Sequence, residues 1–477
     1  MQTDSSEAAR DHGHRHAGWK IAVVGGGISG LAAAWFAKKA MPDAGVVLFE
    51  GSPSVGGKLA LGQVGGVGVD LGAEAILNLR PEAVDLVRAV GLDDDVVHPE
   101  TTAASLWNRG ELVPMPKGHL LGIPGDVQAL EGLLSSEGLA RAAEGGRVEP
   151  ARDISVGEYA ARTFGREVVD RLVEPLLDGI YAGHADEISL RATIPALIPA
   201  LESGKPLGQA VADILGGHGA APKPKPTPVF AGIRGGIGRF PVALAQDCER
   251  LGVTIRRGTA VGELSRTSGG WRLVADPAGE HGGVYDFDAV VVAVPAPAAA
   301  KLLADVAPTA SAELAGIEYA AVALATYVFD GAVPLAGSGF LVPPVDGRFI
   351  KASTFSSSKW AWPAESGKTV VRASVGRHRE TAALQYDDAE IAKLALADLH
   401  EAIGPVLPEP IDWRVQRWDP GLPQYTVGHV DRVARIRDDI ARQPGIVVCG
   451  AAYDGVGIAP CVASALRAVR ELVSSEA

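Results

Sequence analysis

The apolar residues of this chain fall into two kinds of run. Short unbroken ones at 21–24, 46–49, 289–294 and 446–449 are closed by Gly, Glu or Pro and read as strands buried on both faces. Longer ones carry apolar residues at helical spacing, at 28–40, 81–90, 127–139, 156–177, 190–201, 240–251 and 460–472. The stretches 253–256 and 271–274 alternate as half-buried strands do. From 297 to about 428, helices and strands alternate with scattered Trp, Tyr and Phe, which predicts a second α+β unit.

The order of these runs predicts a chain that returns to its first domain at its end. One domain is expected from 20–80 with 225–300 and 434–477, a mostly helical subdomain from 81–210, and a second, substrate-binding domain from 301–433. Residues 211–228 read as a connector, because Pro222 to Pro228 repeats proline at every second position and favours extended polyproline II. Residues 1–19 read as a disordered polar leader whose His12, His14 and His16 are solvated rather than metal-binding.

Composition narrows the function. With 57 acidic and 44 basic residues the net charge is −13, which argues against a nucleic-acid binder that works by neutralising phosphates. Three cysteines, Cys248, Cys449 and Cys461, make neither a disulfide framework nor a metal site, so no metal and a reducing cytoplasm are expected. No apolar core of a secretory signal stands in the first 19 residues, and no uncharged apolar run reaches the ~18 residues of a transmembrane helix. Peripheral membrane contact stays open.

The chemistry begins at Gly25-Gly26-Gly27-Ile28-Ser29-Gly30, a G-x-G-x-x-G between a strand and a helix, with Glu50 at the end of the next strand. The first glycine makes the turn, the second admits a pyrophosphate, and the third lets helix and strand pack, while the acid accepts from a ribose hydroxyl. Two further glycine clusters, Gly56-Gly57-Lys58 and Gly450-Ala-Ala-Tyr-Asp-Gly455-Val-Gly457-Ile458, favour FAD over NAD. The second runs into a helix and can aim N–H groups at a flavin ring. No second G-x-G-x-x-G follows a strand, so the reductant is expected to be the substrate itself.

Taken in order, several motifs resemble the protoporphyrinogen and coproporphyrinogen oxidase family. They are the first fingerprint, Trp107 to Pro116 with Gly122-Ile-Pro124, Gly179 to Gly183 with Ser189-Leu-Arg191, Pro423-Gln-Tyr425 with Gly428-His429, and Gly455 to Ile458. The chain looks most like the Gram-positive bacterial branch, whose substrate is coproporphyrinogen III. The resemblance implies a Rossmann-like FAD-binding domain of the amine oxidase type, a mixed-sheet substrate domain and a helical subdomain. It implies oxygen-using, six-electron oxidation to coproporphyrin III in haem biosynthesis, three flavin cycles with hydrogen peroxide as co-product, and hand-over to a ferrochelatase. Alternatives are a protoporphyrinogen IX oxidase, a flavin amine oxidase and a non-enzymatic tetrapyrrole-binding flavoprotein.

Carried over residue by residue, Gly25 to Gly30 and Glu50 hold the ADP half of FAD, and Gly57 and Lys58 lie by the pyrophosphate. Lys58 stands where relatives commonly have arginine. Gly72, Ala73, Glu74 and Ala75 match a segment beside the flavin, Val261 meets the adenine, and Ala451, Val456, Gly457 and Ile458 form the flavin-contacting loop, with Trp418 in the cofactor shell. Ala459-Pro460-Cys461 departs from the family's usual Pro-Asp before the cysteine. Propionates need cations, for which Arg109 comes first and Arg80 and Lys117 follow. No catalytic base is evident; His429 is expected to be a hydrogen-bonded structural histidine, Tyr181 and Tyr453 packing aromatics, and the cysteines structural.

Overall fold

The computed structural model describes residues 18–146, 153–216, 228–276 and 281–474. The expected leader up to residue 17, with its histidines, and residues 217–227 of the connector lie outside the described residues.

Five parallel strands form the central sheet, in the order Thr254–Arg256, Gly45–Phe49, Lys20–Val24, Ala289–Val292, Ile446–Val448. Side chains alternate between its two faces, and both are covered. Ile21 and Val23 pack under the helices Ile28–Ala40, Pro81–Ala89, Arg239–Arg250 and Ile458–Ser474. Ala22 and Val24 face the helices Ala296–Leu303, Pro308–Ala315 and His429–Ile440 and a three-stranded antiparallel sheet. Two-sided burial is why these strands read as continuous apolar runs.

A seven-stranded sheet follows, in the order Asp412–Pro423, Tyr319–Phe329, Thr369–Val375, Ala352–Phe355, Gly339–Leu341, Ser105–Asn108, Glu111–Pro114. Helix Asp388–Ile403 buries Ile391, Ala395 and Leu399 against one face. On the other, Val328 and Val370 pack on the hairpin Leu61–Val64 and Val67–Asp70, which leads into Gly72. The third layer is helical, and serines start its helices: Ser135, Ser155 and Ser189 Oγ accept from the N–H groups of Gly138, Glu158 and Ala192.

The helical region departs from expectation in several places. The 156–177 run is interrupted at Gly165, φ 92°, and by a wide turn at Val169–Val173. Residues 127–139 form only a short turn, Val127–Leu130, before the helix Ser136–Glu144. Pro195 divides 190–201 into short pieces. Within 81–210, Ser105–Asn108 and Glu111–Pro114 belong to the seven-stranded sheet, where Ser105 pairs with the sequence-remote Phe340. The start of the expected connector is helical too, because Leu207, Ala210 and Val211 bury one face of Leu207–Gly216. Among the described residues, no helix is long and apolar enough to cross a membrane.

Candidate functional site

The first fingerprint folds as its spacing requires. Gly25 has φ 108°, and a Cβ on Gly30 would stand 1.8 Å from the Gly25 carbonyl oxygen. A Cβ on Gly26 would meet Glu50 at 2.8 Å, whereas one on Gly27 would meet nothing within 4 Å. Gly27 therefore faces open space at the start of helix Ile28–Ala40, which has no side-chain cap and no acid in its first turn. Unpaired helix-start N–H groups beside an open glycine make an anion site.

Glu50 Oε2 accepts from the Gly26 N–H at 2.6 Å and Oε1 from that of Ser52 at 2.7 Å. A carboxylate has about four lone-pair sites, so acceptor capacity remains for a hydroxyl. Val261 lies in the same neighbourhood, since Thr259 N donates to the Glu50 carbonyl at 2.7 Å and Val261 packs in the cluster of Phe49.

The second cluster docks on the first: Gly56 N donates to the Gly26 carbonyl at 2.8 Å, and a Cβ on Gly57 would lie 3.5 Å from Gly27 Cα. Lys58 is partly buried, and among the described residues no carboxylate pairs with it. Burial lowers its pKa, opposed by nearby Cys461. An unpartnered cation at this position fits the fingerprint's anion.

The last cluster lies against the first helix, with Ser29 Oγ 3.9 Å from where a Gly450 Cβ would stand. Its loop is tied at several points. Ser464 Oγ accepts from Gly450 N at 3.1 Å, and the Asp454 carboxylate receives Arg437 and Ser464, each at 2.5 Å, and Arg467 at 3.2 Å. Tyr425 Oη donates to the Ala451 carbonyl at 2.5 Å and accepts from Gly455 N at 2.7 Å. The helix Ile458–Ser474 starts directly beyond, so the first N–H groups there have no intrahelical acceptor.

Gly72 closes the group. A Cβ there would strike the Lys58 carbonyl at 1.9 Å, and Trp418 stands 3.5 Å away, its indole N–H donating to the Leu71 carbonyl at 3.0 Å. The structure thus brings together Gly25 to Gly30, Glu50, Gly57, Lys58, Gly72, Trp418 and the 450–458 loop.

Other expected site residues are occupied elsewhere. The Glu74 carboxylate takes Lys359 at 3.0 Å, Arg372 at 2.8 Å, Trp360 at 3.2 Å and Ser356 at 2.9 Å. Burial would raise its pKa, but the two cations outweigh that and hold it well below the usual carboxylate range. As a side chain, Glu74 ties its segment to the strand Thr369–Val375 and the helix Ser356–Lys359, and has no capacity left for a cofactor. Arg109 is likewise committed, paired to Glu167 and donating to the Leu133 carbonyl at 2.8 Å. It is therefore not the free propionate cation its motif suggests. Arg80 is 44% exposed and pairs with Glu82 at 2.9 Å, and Lys117 is exposed.

His429 is buried, and its polar contact is with the Ala452 backbone, which falls short of good hydrogen-bond geometry. Burial, then Arg432, lowers its pKa to about 4, so the ring is neutral. Tyr453 packs in the core beneath the sheet. Burial pushes the Cys461 thiol up to about 11, which removes the thiolate character a helix start could have given it.

Sequence reasoning missed two features. Asp70 accepts from Ile237 N at 3.0 Å and Gly238 N at 2.9 Å, fixing the loop before helix Arg239–Arg250. Asp178, fully buried, pairs with Lys351 at 2.9 Å and Arg377 at 2.7 Å and joins the helical layer to the seven-stranded sheet. Asp178 directly precedes the Gly179 to Gly183 motif, which is the one sequence signal that could have pointed there.

The profile of flavin containing amine oxidoreductases matches residues 28–473. The chain belongs to that family. FAD is accordingly the cofactor of this family member, and the open Gly27, the unpaired Lys58 and the helix starts at Ile28 and Ile458 fit it. The coproporphyrinogen III oxidase of Mycobacterium tuberculosis (strain H37Rv) is 36% identical over 459 residues, 95% of this chain and 97% of that one. That of Bacillus subtilis (strain 168) is 31% identical over 472 residues, 95% and 98% of the two chains. A crystal structure from Exiguobacterium sp. 255-15, provisionally assigned as a protoporphyrinogen oxidase, superposes with a TM-score of 0.83 at 33% identity, covering 95% of this chain and 98% of that one. The family resemblance read from the motifs and the Rossmann-like amine oxidase fold both hold.

Proposed function

We propose that this family member oxidises coproporphyrinogen III to coproporphyrin III in haem biosynthesis, with molecular oxygen as acceptor. The supporting observation is its similarity, over 95% of its length, to proteins named coproporphyrinogen III oxidase. Removing six hydrogens from the porphyrinogen balances against three O2 reduced to three H2O2. When bound, FAD would supply two-electron chemistry: three hydrides leave bridging carbon with three pyrrole N–H protons, and imine–enamine tautomerisation moves one proton from the last CH2 bridge to a pyrrole nitrogen, giving four CH bridges and two N–H groups.

The chain's own residues bind and orient. The Gly25 to Gly30 turn and Lys58 hold the pyrophosphate, Glu50 a ribose hydroxyl and Val261 the adenine. The Ala451, Val456, Gly457 and Ile458 loop offers its N–H groups to the ring, with the backbone of Gly72, Ala73 and Ala75 and the Trp418 indole alongside. Of the three expected cations, Lys117, exposed and without a carboxylate partner among the described residues, is the one offered to propionates, and the product passes to a ferrochelatase.

Anaerobic mixing with coproporphyrinogen III tests the reading: the flavin absorbance should bleach, then recover in air as porphyrin fluorescence grows. No bleaching with coproporphyrinogen III or protoporphyrinogen IX refutes the oxidase. A second reading, protoporphyrinogen IX as substrate, is favoured by the provisional assignment of the Exiguobacterium structure; faster turnover of that porphyrinogen would select it.

A further inference from the structure

Tyr425 and His429 lie outside the glycine clusters, yet they form the wall behind the 450–455 loop. Tyr425 follows the edge strand Asp412–Pro423, and His429 opens the helix His429–Ile440. Their rings stack with centroids 3.9 Å apart and planes inclined by 16°, and Tyr181 closes on the phenol at 5.6 Å. Both residues are buried, with exposures of 3% and 2%.

The single phenolic oxygen uses both of its hydrogen-bonding roles on one loop, giving its proton to Ala451 and taking one from Gly455. It therefore fixes the chord across Ala452, Tyr453 and Asp454, and with it the direction in which the following N–H groups point. Burial drives the phenol's pKa well above its ordinary value, so the proton that reaches Ala451 stays in place. His429 bonds neither the phenol nor its two loop partners, its polar contact being with the Ala452 backbone, and it presents a flat, neutral face to the phenol.

We propose that Tyr425 is a positioning residue for the flavin: its hydroxyl clamps the 451–455 segment so that the loop's N–H groups are preorganised towards the cofactor, and the stacked His429 ring is the wall that sets the phenol. This rests on the reading that the 451–458 loop contacts the flavin. Reduction places negative charge on the ring, so N–H groups held in advance stabilise the reduced form. The hydroxyl acts through the loop and touches no reacting atom.

Tyr425→Phe keeps the stack and removes the clamp. Arg437, Arg467 and Ser464 still hold Asp454, so the variant should fold with its loop in place but loosened. Its FAD dissociation constant should rise about tenfold, in line with one buried donor and one acceptor left unpaired. The visible flavin band should shift, the midpoint potential should become more negative, and kcat should fall with KM little changed. A purely structural role would lower the melting temperature alone. FAD affinity, spectrum and potential all equal to those of the unaltered chain overturn the proposal. If Tyr425→Phe is insoluble, His429→Ala carries the test with the same readouts and the same refuting result. Failure of the unaltered chain to bind FAD would instead strike the cofactor reading on which the proposal rests.

Discussion

Replacing Asp178 by Asn removes one negative charge from a site with no access to water. Asp178 is fully buried, and its partners Lys351 and Arg377 have side chains only 5% and 9% exposed. The nearest other carboxylate, Glu380, is 3.6 Å from Arg377 and half exposed, too wet to replace it. At an effective dielectric of about 20, each lost contact forfeits roughly 4 kcal/mol of attraction, partly offset by the desolvation Asp178 itself no longer suffers. Breaking a buried pair by deleting one partner typically costs about 3–5 kcal/mol, and this site leaves two cations stranded. Burial already lowers the Lys351 pKa, with Asp178 opposing it. Without Asp178 the ammonium is depressed further, and a base with a depressed folded pKa gives a fold that gains stability as pH rises. The variant should therefore lose about 3–5 kcal/mol near pH 7 and recover part of it by about pH 9. Urea unfolding followed by tryptophan fluorescence, at both pH values, reads this directly. A loss below about 1 kcal/mol at pH 7, or one that grows with pH, would show that the triad does not tie the helical layer to the sheet.

Three further outcomes follow from the same geometry. Gly27→Ala should cost the apoprotein less than about 1 kcal/mol, since its Cβ meets open space, yet cut FAD retention at least tenfold, whereas Gly30→Ala should disrupt the fold itself; melting curves with and without FAD separate the two. Burial raises the Asp70 pKa to about 6 against its two backbone hydrogen bonds, so its contribution is present below the ordinary value of 3.8 and lost as pH rises through about 6. That change amounts to at most about 3 kcal/mol, and Asp70→Asn should flatten the stability slope between pH 4 and 6. Arg109→Ala should leave KM for coproporphyrinogen III within about twofold, because its guanidinium already serves Glu167 and Leu133; a rise of tenfold or more in steady-state assays would return it to the substrate site.

What the sequence could reveal was local. The fingerprint Gly25 to Gly30 is legible because the turn, the helix and Glu50 lie within one βαβ unit, and each glycine answers a steric demand of its close neighbours. The pairing of Glu74 and Arg109 was illegible for the opposite reason: their partners Arg372, Lys359 and Glu167 are remote in sequence, and only folding shows that both charges are already satisfied. The strand Ser105–Asn108 escaped notice because it is short and the strand that ties it into the large sheet, Gly339–Leu341, lies more than 200 residues on. Helix Leu207–Gly216 was hidden by its neighbour, the proline tract, which pulled the expected boundary upstream of where helical packing ends. Tyr425 was visible only as part of a motif, since nothing near it in sequence announces a hydroxyl bound to Ala451 and Gly455.

The five-stranded sheet also dictates an order of events during synthesis. Strand Ala289–Val292, buried along its whole length in the finished protein, receives its outer neighbour Ile446–Val448 only after about 150 further residues have been made. At about 5–20 residues per second that interval lasts roughly 8–30 s, during which the nascent chain carries an open apolar sheet edge. The same late arrival brings the 450–458 loop, so on the proposed reading cofactor capture waits until residues 446–458 have been made, and a chain cut short before residue 446 would keep an uncovered edge and lack that loop.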